Sequence, residues 1–414
     1  MAENVGKHLE QKESKQKKAK KPSRLTKGQK WLLAVAIVLA VVLVAVVALD
    51  GLFVKPELPG KGNGSNADGT QAGDGIDYGD GVQPRVSGER KSKDYYTVLI
   101  LGRDTGGGGN TDTMLLASYD VTNQKANVMS IPRDTMVNVN WDVKKINSVY
   151  NMNGGGEKGI KALYKEISQL VGFEPDYQVI LEWEAVGKIV DAIDGVDFDV
   201  PYPMDYHDPA QNLVIEQAPG LRHLSGDDAM QVIRWRKNNG EPSPGDVGRI
   251  QIQQDFLSAV LDKCLQPATL LKAPALAQVF LNNVTTDLTV GNILAFAQLA
   301  IGMDPESDVK FSTMPYTGVM YDRASLVLPV EKELLEILNS GMNPYVDQIQ
   351  SSDLQLMYKK SGGGYGVTTG TLLDSSMAYA GSSSSSSGTQ TTQETEEPET
   401  EQPGETDAGT ETPG

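Results

Sequence analysis

Residues 95–134, YYTVLILGRDTGGGGNTDTMLLASYDVTNQKANVMSIPRD, decide the fold. Tyr95–Gly102 is a short apolar run that ends on a glycine, and Asp112–Asp120 and Ala126–Pro132 repeat the pattern with turn-forming residues between them. Runs of this length, closed by Gly, Asn or Pro, predict strands. Downstream the period changes: Glu157–Val171 places Ile160, Leu163, Tyr164, Ile167, Leu170 and Val171 on one helical face. A strand at Tyr177–Leu181, a helix at Trp183–Ile193 and a strand at Val196–Val200 follow. Ser225 is placed to cap a helix running to Arg234, and Asp246 to open a longer one through Leu265. Leu288–Ile301 and Val330–Leu338 predict peripheral packing helices. Strands alternating with helices predict an α/β domain over residues 93–375.

The flanks read differently. Residues 1–30 carry ten Lys and Arg against three Glu, and Trp31–Leu49 then runs nineteen residues without a polar side chain. At 1.5 Å rise that run spans about 28 Å, close to the hydrocarbon thickness. We therefore expect a basic cytoplasmic tail over 1–30, a single transmembrane helix over 31–50 and an extracellular C-terminal bulk. Residues 51–92, rich in Gly, Asp, Ser and Pro, predict a flexible linker with too little apolar content to bury anything, and 376–414 an acidic, disordered Ser/Thr/Glu/Pro tail.

A formal net charge of -17 and few aromatic residues argue against nucleic acid as a partner, because phosphate-backbone binding needs a basic face. The one cysteine, Cys264, sits in an apolar helical pattern and reads as a buried small hydrophobe. His8, His207 and His223 form no constellation. Leu101–Asp112, LGRDTGGGGNTD, is no nucleotide loop: no Lys-Ser/Thr follows for a Walker loop, and a strand follows where a dinucleotide fingerprint needs a helix. Its glycines make a turn that lets Asp104 and Asp112 approach one another, a pair suited to a hard divalent cation such as Mg2+, or simply turn formers. Arg133 follows Pro132 at a strand end, where α/β proteins bind ligands, with Asp134 beside it as an alternative ion-pair partner. Arg234 and Arg236 flank Trp235, and Arg249 and Gln253 lie four apart near a helix start. Guanidinium forks match phosphate oxygens, so these arginines converge on an anion-binding reading.

Beyond these residues the chain resembles the LytR-CpsA-Psr family over roughly Tyr95–Leu265. The matching blocks are VLILGRD at Val98–Asp104, TDTMLLASYD at Thr111–Asp120, VMSIPRDTMV at Val128–Val137 and KIN at Lys145–Asn147. DAIDGVDFDVP at Asp191–Pro201, LSGDDAMQVIRWRK at Leu224–Lys237 and GDVGRIQIQQ at Gly245–Gln254 continue the likeness. The resemblance implies an α/β/α core with a central mixed sheet and a slot for a lipid tail. It also implies membrane-anchored transfer of a glycopolymer phosphate from a polyprenyl-pyrophosphate carrier to peptidoglycan. Asp104 and Asp112 would then hold Mg2+, and Arg133, Arg234, Arg236, Arg249 and Gln253 the pyrophosphate, with Arg103 as a further charge. Asp104 or Asp134 could act as base. Two positions depart from the pattern: Asn110 and Ile252 stand where members commonly carry arginine, which predicts less positive charge at the rim of the site. A regulatory module that binds polyprenyl phosphate, or a pyrophosphatase, would share most of these residues.

Overall fold

The computed structural model describes residues 53–58, 76–103, 111–209, 213–238 and 245–379. Asp104, Asn110, the 31–49 apolar run and the acidic tail lie outside the described residues. Among those described, no helix is long and apolar enough to cross a membrane.

The chain opens with β1 (Tyr95–Arg103), β2 (Thr111–Asp120) and β3 (Lys125–Ser130), an antiparallel meander, then helix α1 (Gly156–Val171). Next come β4 (Tyr177–Glu182), α2 (Trp183–Ala192), the short strands β5 (Val196–Val200), β6 (Met204–Asp208), β7 (Leu213–Gln217) and β8 (Gly220–Leu224), α3 (Gly226–Arg234) and α4 (Gly245–Leu265). The last stretch adds α5 (Ala273–Asn283), β9 (Val284–Thr286), α6 (Val290–Leu299), β10 (Val309–Thr313), the hairpin β11 (Tyr316–Tyr321) and β12 (Ala324–Pro329), and α7 (Glu331–Ile337). Six strands form the central sheet in the order β10-β3-β2-β1-β4-β9. It is mixed: β4 runs parallel to β1 and β10 parallel to β3, while the other pairs are antiparallel.

Strand residues alternate between faces, and here the two faces have different fates. Leu99, Leu101, Met114, Leu116, Met129 and Ile180 are fully covered, packed with Leu163, Tyr164 and Ile167 of α1 in the main core. Burying side chains of this size stabilises by roughly 1.5–3 kcal/mol each. The opposite face, with Ile100, Thr113, Leu115 and Leu181, is only half-buried. It looks toward α2, α3 and α4, whose own core gathers Val190, Val232, Ile233, Trp235, Ile252 and Phe256.

The readings of β1 to β5 and of α1 to α4 hold closely, whereas β6, β7 and β8 were not expected. Ser225 caps α3 with a full capping box to Asp228, α2 ends at Ala192, and α4 begins at Gly245. Gly172 takes a left-handed φ of 81°, closing α1 where only glycine fits without strain. The linker reading needs correction. Tyr78 and Val82 are buried, and Arg90 pairs with buried Asp176, so Ile76–Ser92 is a collar packed on the domain rather than a tether. Phe53–Leu58 is hydrogen-bonded to the domain as well. Low apolar content misled here because two side chains and one ion pair suffice to fasten an extended segment. At the other end the fold continues past Ser375, with Met377 buried.

Candidate functional site

The ends of β1, β3 and β4 and the start of β2 meet at one edge of the sheet, which is where the candidate residues gather. Asp112 enters β2, and Arg133 follows β3 by three residues. The Arg133 guanidinium donates through Nη1 to Asp112 Oδ1 at 3.1 Å, and its Nε stands 3.9 Å from Asp134 Oδ2. Lys145 donates to Asp134 Oδ1 at 2.6 Å. These four side chains are between 17 and 26% exposed, wet enough to admit a ligand and dry enough to strengthen charge pairing. Asp134 is thus shared between Lys145 and Arg133.

Arg103 ends β1 at a register shift between Gly102 and Arg103. Such a bulge re-aims the side chain that follows it. The guanidinium lies 4.4 Å from the ring centroid of Tyr150, a cation–π support that sequence reading missed, and 3.9 Å from Glu182. Gly102 beside it lies close to β2, since a Cβ there would sit 3.0 Å from Thr113 Cβ.

The second group stands where α3 meets α4. Gln253 donates to the Ile233 carbonyl at 3.2 Å, which ties α4 to the residue before Arg234. Arg249, one turn earlier, is 8% exposed, while Arg236 is exposed beyond the end of α3. Trp235 between the two arginines packs inward, stacked on Tyr202, with its Nε1 donating to Asn238 at 2.8 Å. Gln254 is the residue that joins this group to the first. Its Nε2 donates to Ser130 Oγ and the Ser312 carbonyl, both at 3.0 Å, and lies 3.3 Å from Thr313 Oγ1. A polar side chain four residues after Ile250 and three before Leu257, on an otherwise apolar stripe, was the available signal for it.

Ile252, where an arginine was expected from the family pattern, lies close by. It is 3% exposed and packs in the core of α3 and α4, one turn from Arg249.

Between the half-buried sheet face and the helices lies an apolar cavity of about 170 Å³. Ile100, Leu115, Val128, Phe256, Leu257 and Phe311 line its body, and Gly102, Thr113, Ser130, Gln253 and Gln254 its polar end. That polar end is one residue from Arg103 and Asp112 and one helical turn from Arg249. The alternation of exposure therefore separates cavity-facing from core-facing apolar residues, which look alike in sequence.

For a divalent cation the donor chemistry fits. Asp112 offers a carboxylate, and the buried hydroxyls of Thr111 and Thr113 on either side have no hydrogen-bond partner among the described residues. All are hard oxygen donors. Among the described residues no group of three His, Cys, Asp or Glu side chains converges, and Asp104 lies outside them.

A model of the LytR_cpsA_psr family matches residues 65–343. The regulatory protein MsrR of Staphylococcus aureus is 27% identical over 236 residues, 56% of this chain and 68% of its own length. The polyisoprenyl-teichoic acid–peptidoglycan teichoic acid transferase TagV of Bacillus subtilis is 26% identical over 232 residues, 54% of this chain and 56% of TagV. The crystal structure of B. subtilis TagV superposes with a TM-score of 0.51 at 22% identity, covering 60% of this chain and 96% of that one, so the two share a fold.

Proposed function

Because the chain belongs to the LytR_cpsA_psr family, we propose that it transfers a glycopolymer phosphate from a polyprenyl-pyrophosphate carrier to a peptidoglycan hydroxyl outside the cell. The observation that carries this reading is the adjacency of an apolar cavity to a cluster of arginine and carboxylate groups at one sheet edge. A polyprenyl pyrophosphate has that same division, an apolar tail joined to a compact polyanion.

In this reading the tail occupies the space among Ile100, Leu115, Val128 and Phe256. The pyrophosphate lies against Arg133, Arg103, Arg234, Arg236, Arg249 and Gln253. Phosphoryl transfer asks a protein mainly for alignment and charge neutralisation. Asp112 keeps Arg133 in place before substrate arrives, and Asp134 with Lys145 fixes it from the other side, so little reorganisation is needed when charge shifts to the nonbridging oxygens. Asp112 with Asp104 would hold Mg2+, which supplies further charge neutralisation when bound. The neutralised polyprenyl phosphate leaves without a dedicated acid, and Asp104 or Asp134 is the candidate to accept the acceptor hydroxyl's proton.

The test is the full chain in detergent with a synthetic polyprenyl-pyrophosphate oligosaccharide, peptidoglycan fragments and Mg2+, with products followed by mass spectrometry. A metal-dependent phosphodiester adduct, reduced roughly 10²–10³-fold in Arg133→Ala, is the expected result. Bound lipid without turnover would instead favour a regulatory binding module, and free phosphorylated sugar a hydrolase.

A further inference from the structure

The segment that follows the 31–49 apolar run is fastened to the domain at the sheet edge opposite the candidate site. Val54 donates its amide to the Gly291 carbonyl at 3.1 Å and accepts from Asn292 Nδ2 at 2.8 Å, at the start of α6. Lys55 pairs with Asp94 at 2.5 Å, the Tyr96 hydroxyl donates to the Pro56 carbonyl at 3.2 Å, and the Tyr177 hydroxyl donates to the Glu57 carbonyl. Asp94, Tyr96 and Tyr177 stand where the parallel strands β1 and β4 begin; Arg103 and Glu182 stand where they end. Helix α6 crosses this lower edge, because the Tyr119 hydroxyl, paired in register with Tyr96, donates to the Leu299 carbonyl at 2.7 Å. Three apolar side chains are left in the open here. Val54 is 52%, Ile301 58% and Leu271 86% exposed, and Lys272 beside Leu271 is paired with Asp194 beyond the end of α2.

We propose that this lower edge rests on the bilayer that holds residues 31–49, with Val54, Leu271 and Ile301 at the lipid surface and the phosphate-binding edge turned away from it. The inference rests on the membrane-span reading of that run and is independent of the transfer reaction. Its geometric basis is chain length: Val54 follows Leu49 by five residues, at most about 18 Å of extended chain. An edge tied down at Val54 cannot stand further than that from the hydrocarbon. β1 rises about 3.3 Å per residue, so Arg103 lies about 26 Å beyond Tyr95. The strap therefore sets both the orientation of the domain and the height at which chemistry occurs. The lipid surface also supplies an apolar partner for three side chains that the fold leaves uncovered.

The experiment uses the full chain with Cys264→Ser, reconstituted in phosphatidylglycerol–phosphatidylcholine vesicles. Bimane is attached through Ile301→Cys or Leu271→Cys, or through Met320→Cys on the β11–β12 hairpin as reference, and quenching by doxyl-labelled lipid is read. We expect quenching at 301 and 271 at least threefold stronger than at 320, and a fall of that contrast when Lys55→Ala and Asn292→Ala together weaken the strap. Equal quenching at all three positions, none at 301 and 271, or failure of the chain to stay with the vesicles would overturn the proposal. None of these readouts needs a glycopolymer donor, so a failed transfer assay leaves the result standing.

Discussion

Replacing Arg90 by alanine separates a packed collar from a loose tether. Arg90 Nη1 donates to Asp176 Oδ2 and to the Tyr95 carbonyl, both at 2.8 Å, and Nη2 donates to Asp176 Oδ1. The two side chains are 5 and 2% exposed. Asp176 also accepts from the Thr97 amide and hydroxyl, each at 2.8 Å, and the Tyr345 ring centroid lies 5.3 Å from the guanidinium. Burial works against the charge on Arg90, but Asp176 outweighs it and raises the guanidinium's affinity for its proton. Arg90→Ala leaves a buried carboxylate with the Thr97 bonds alone, and breaking such a pair from one side costs about 3–5 kcal/mol. At roughly 2 °C per kcal/mol for a domain of this size, Tm should fall by about 6–10 °C. Arg85→Ala is the reference: that side chain is 25% exposed and donates to the Asp347 carbonyl at 2.7 Å, so its loss should cost about 1 kcal/mol. The assay is thermal unfolding of the full chain in detergent, followed by circular dichroism. A drop for Arg90→Ala no larger than for Arg85→Ala would refute the collar. The same reasoning expects a fragment beginning at Lys93 to be destabilised at least as much.

Leu115→Trp should weaken equilibrium binding of polyprenyl phosphate tenfold or more, about 1.4 kcal/mol, because Leu115 lines the cavity. Leu116→Trp, one residue on, should instead lower Tm by overpacking the main core, at about 1–3 kcal/mol; equal effects from the two would contradict the division of faces. Gln254→Ala removes the donor that Ser130 and the Ser312 carbonyl share, and urea unfolding should show a loss of about 2–3 kcal/mol with transfer activity reduced as well. Burial pushes the Glu166 carboxyl up to about 7. The folded state then keeps a proton that the unfolded chain releases near pH 4.5, so stability falls as pH rises through that window and the penalty is complete above 7. Glu166→Gln should therefore match the parent in unfolding free energy near pH 4.5 and exceed it by up to about 3 kcal/mol at pH 8; parallel pH profiles would exclude this.

What was legible in the sequence follows from how local each signal is. The strands through β5 and helices α1 to α4 were readable because period, caps and glycines all lie within a few residues of one another. The hairpins β5–β8 and β6–β7 and the edge strand β9 were not, because short strands acquire their meaning from partners far along the chain. Arg133 and Asp112 could be nominated from strand ends, yet their 3.1 Å contact depends on a register that no local pattern encodes. Tyr150 beneath Arg103 and Gln254 at Ser130 are likewise consequences of assembly. Ile252 packs in the second core, a contact that its place in the motif did not announce. The collar was misread because composition measures average apolarity, whereas Arg90 acts through a single buried pair.

The alternation along β1, β2 and β3 has an evolutionary corollary. Ile100, Leu115 and Val128 shape the slot, and their immediate neighbours Leu99, Leu101, Leu116 and Met129 build the core. Substitutions at every second position can thus widen, narrow or shorten the space for a ligand without disturbing the packing that keeps the sheet folded. One stretch of chain can in this way change the shape of its cavity on one side while its other side keeps the sheet packed, so two such chains with differently shaped cavities need share no more than half of each strand.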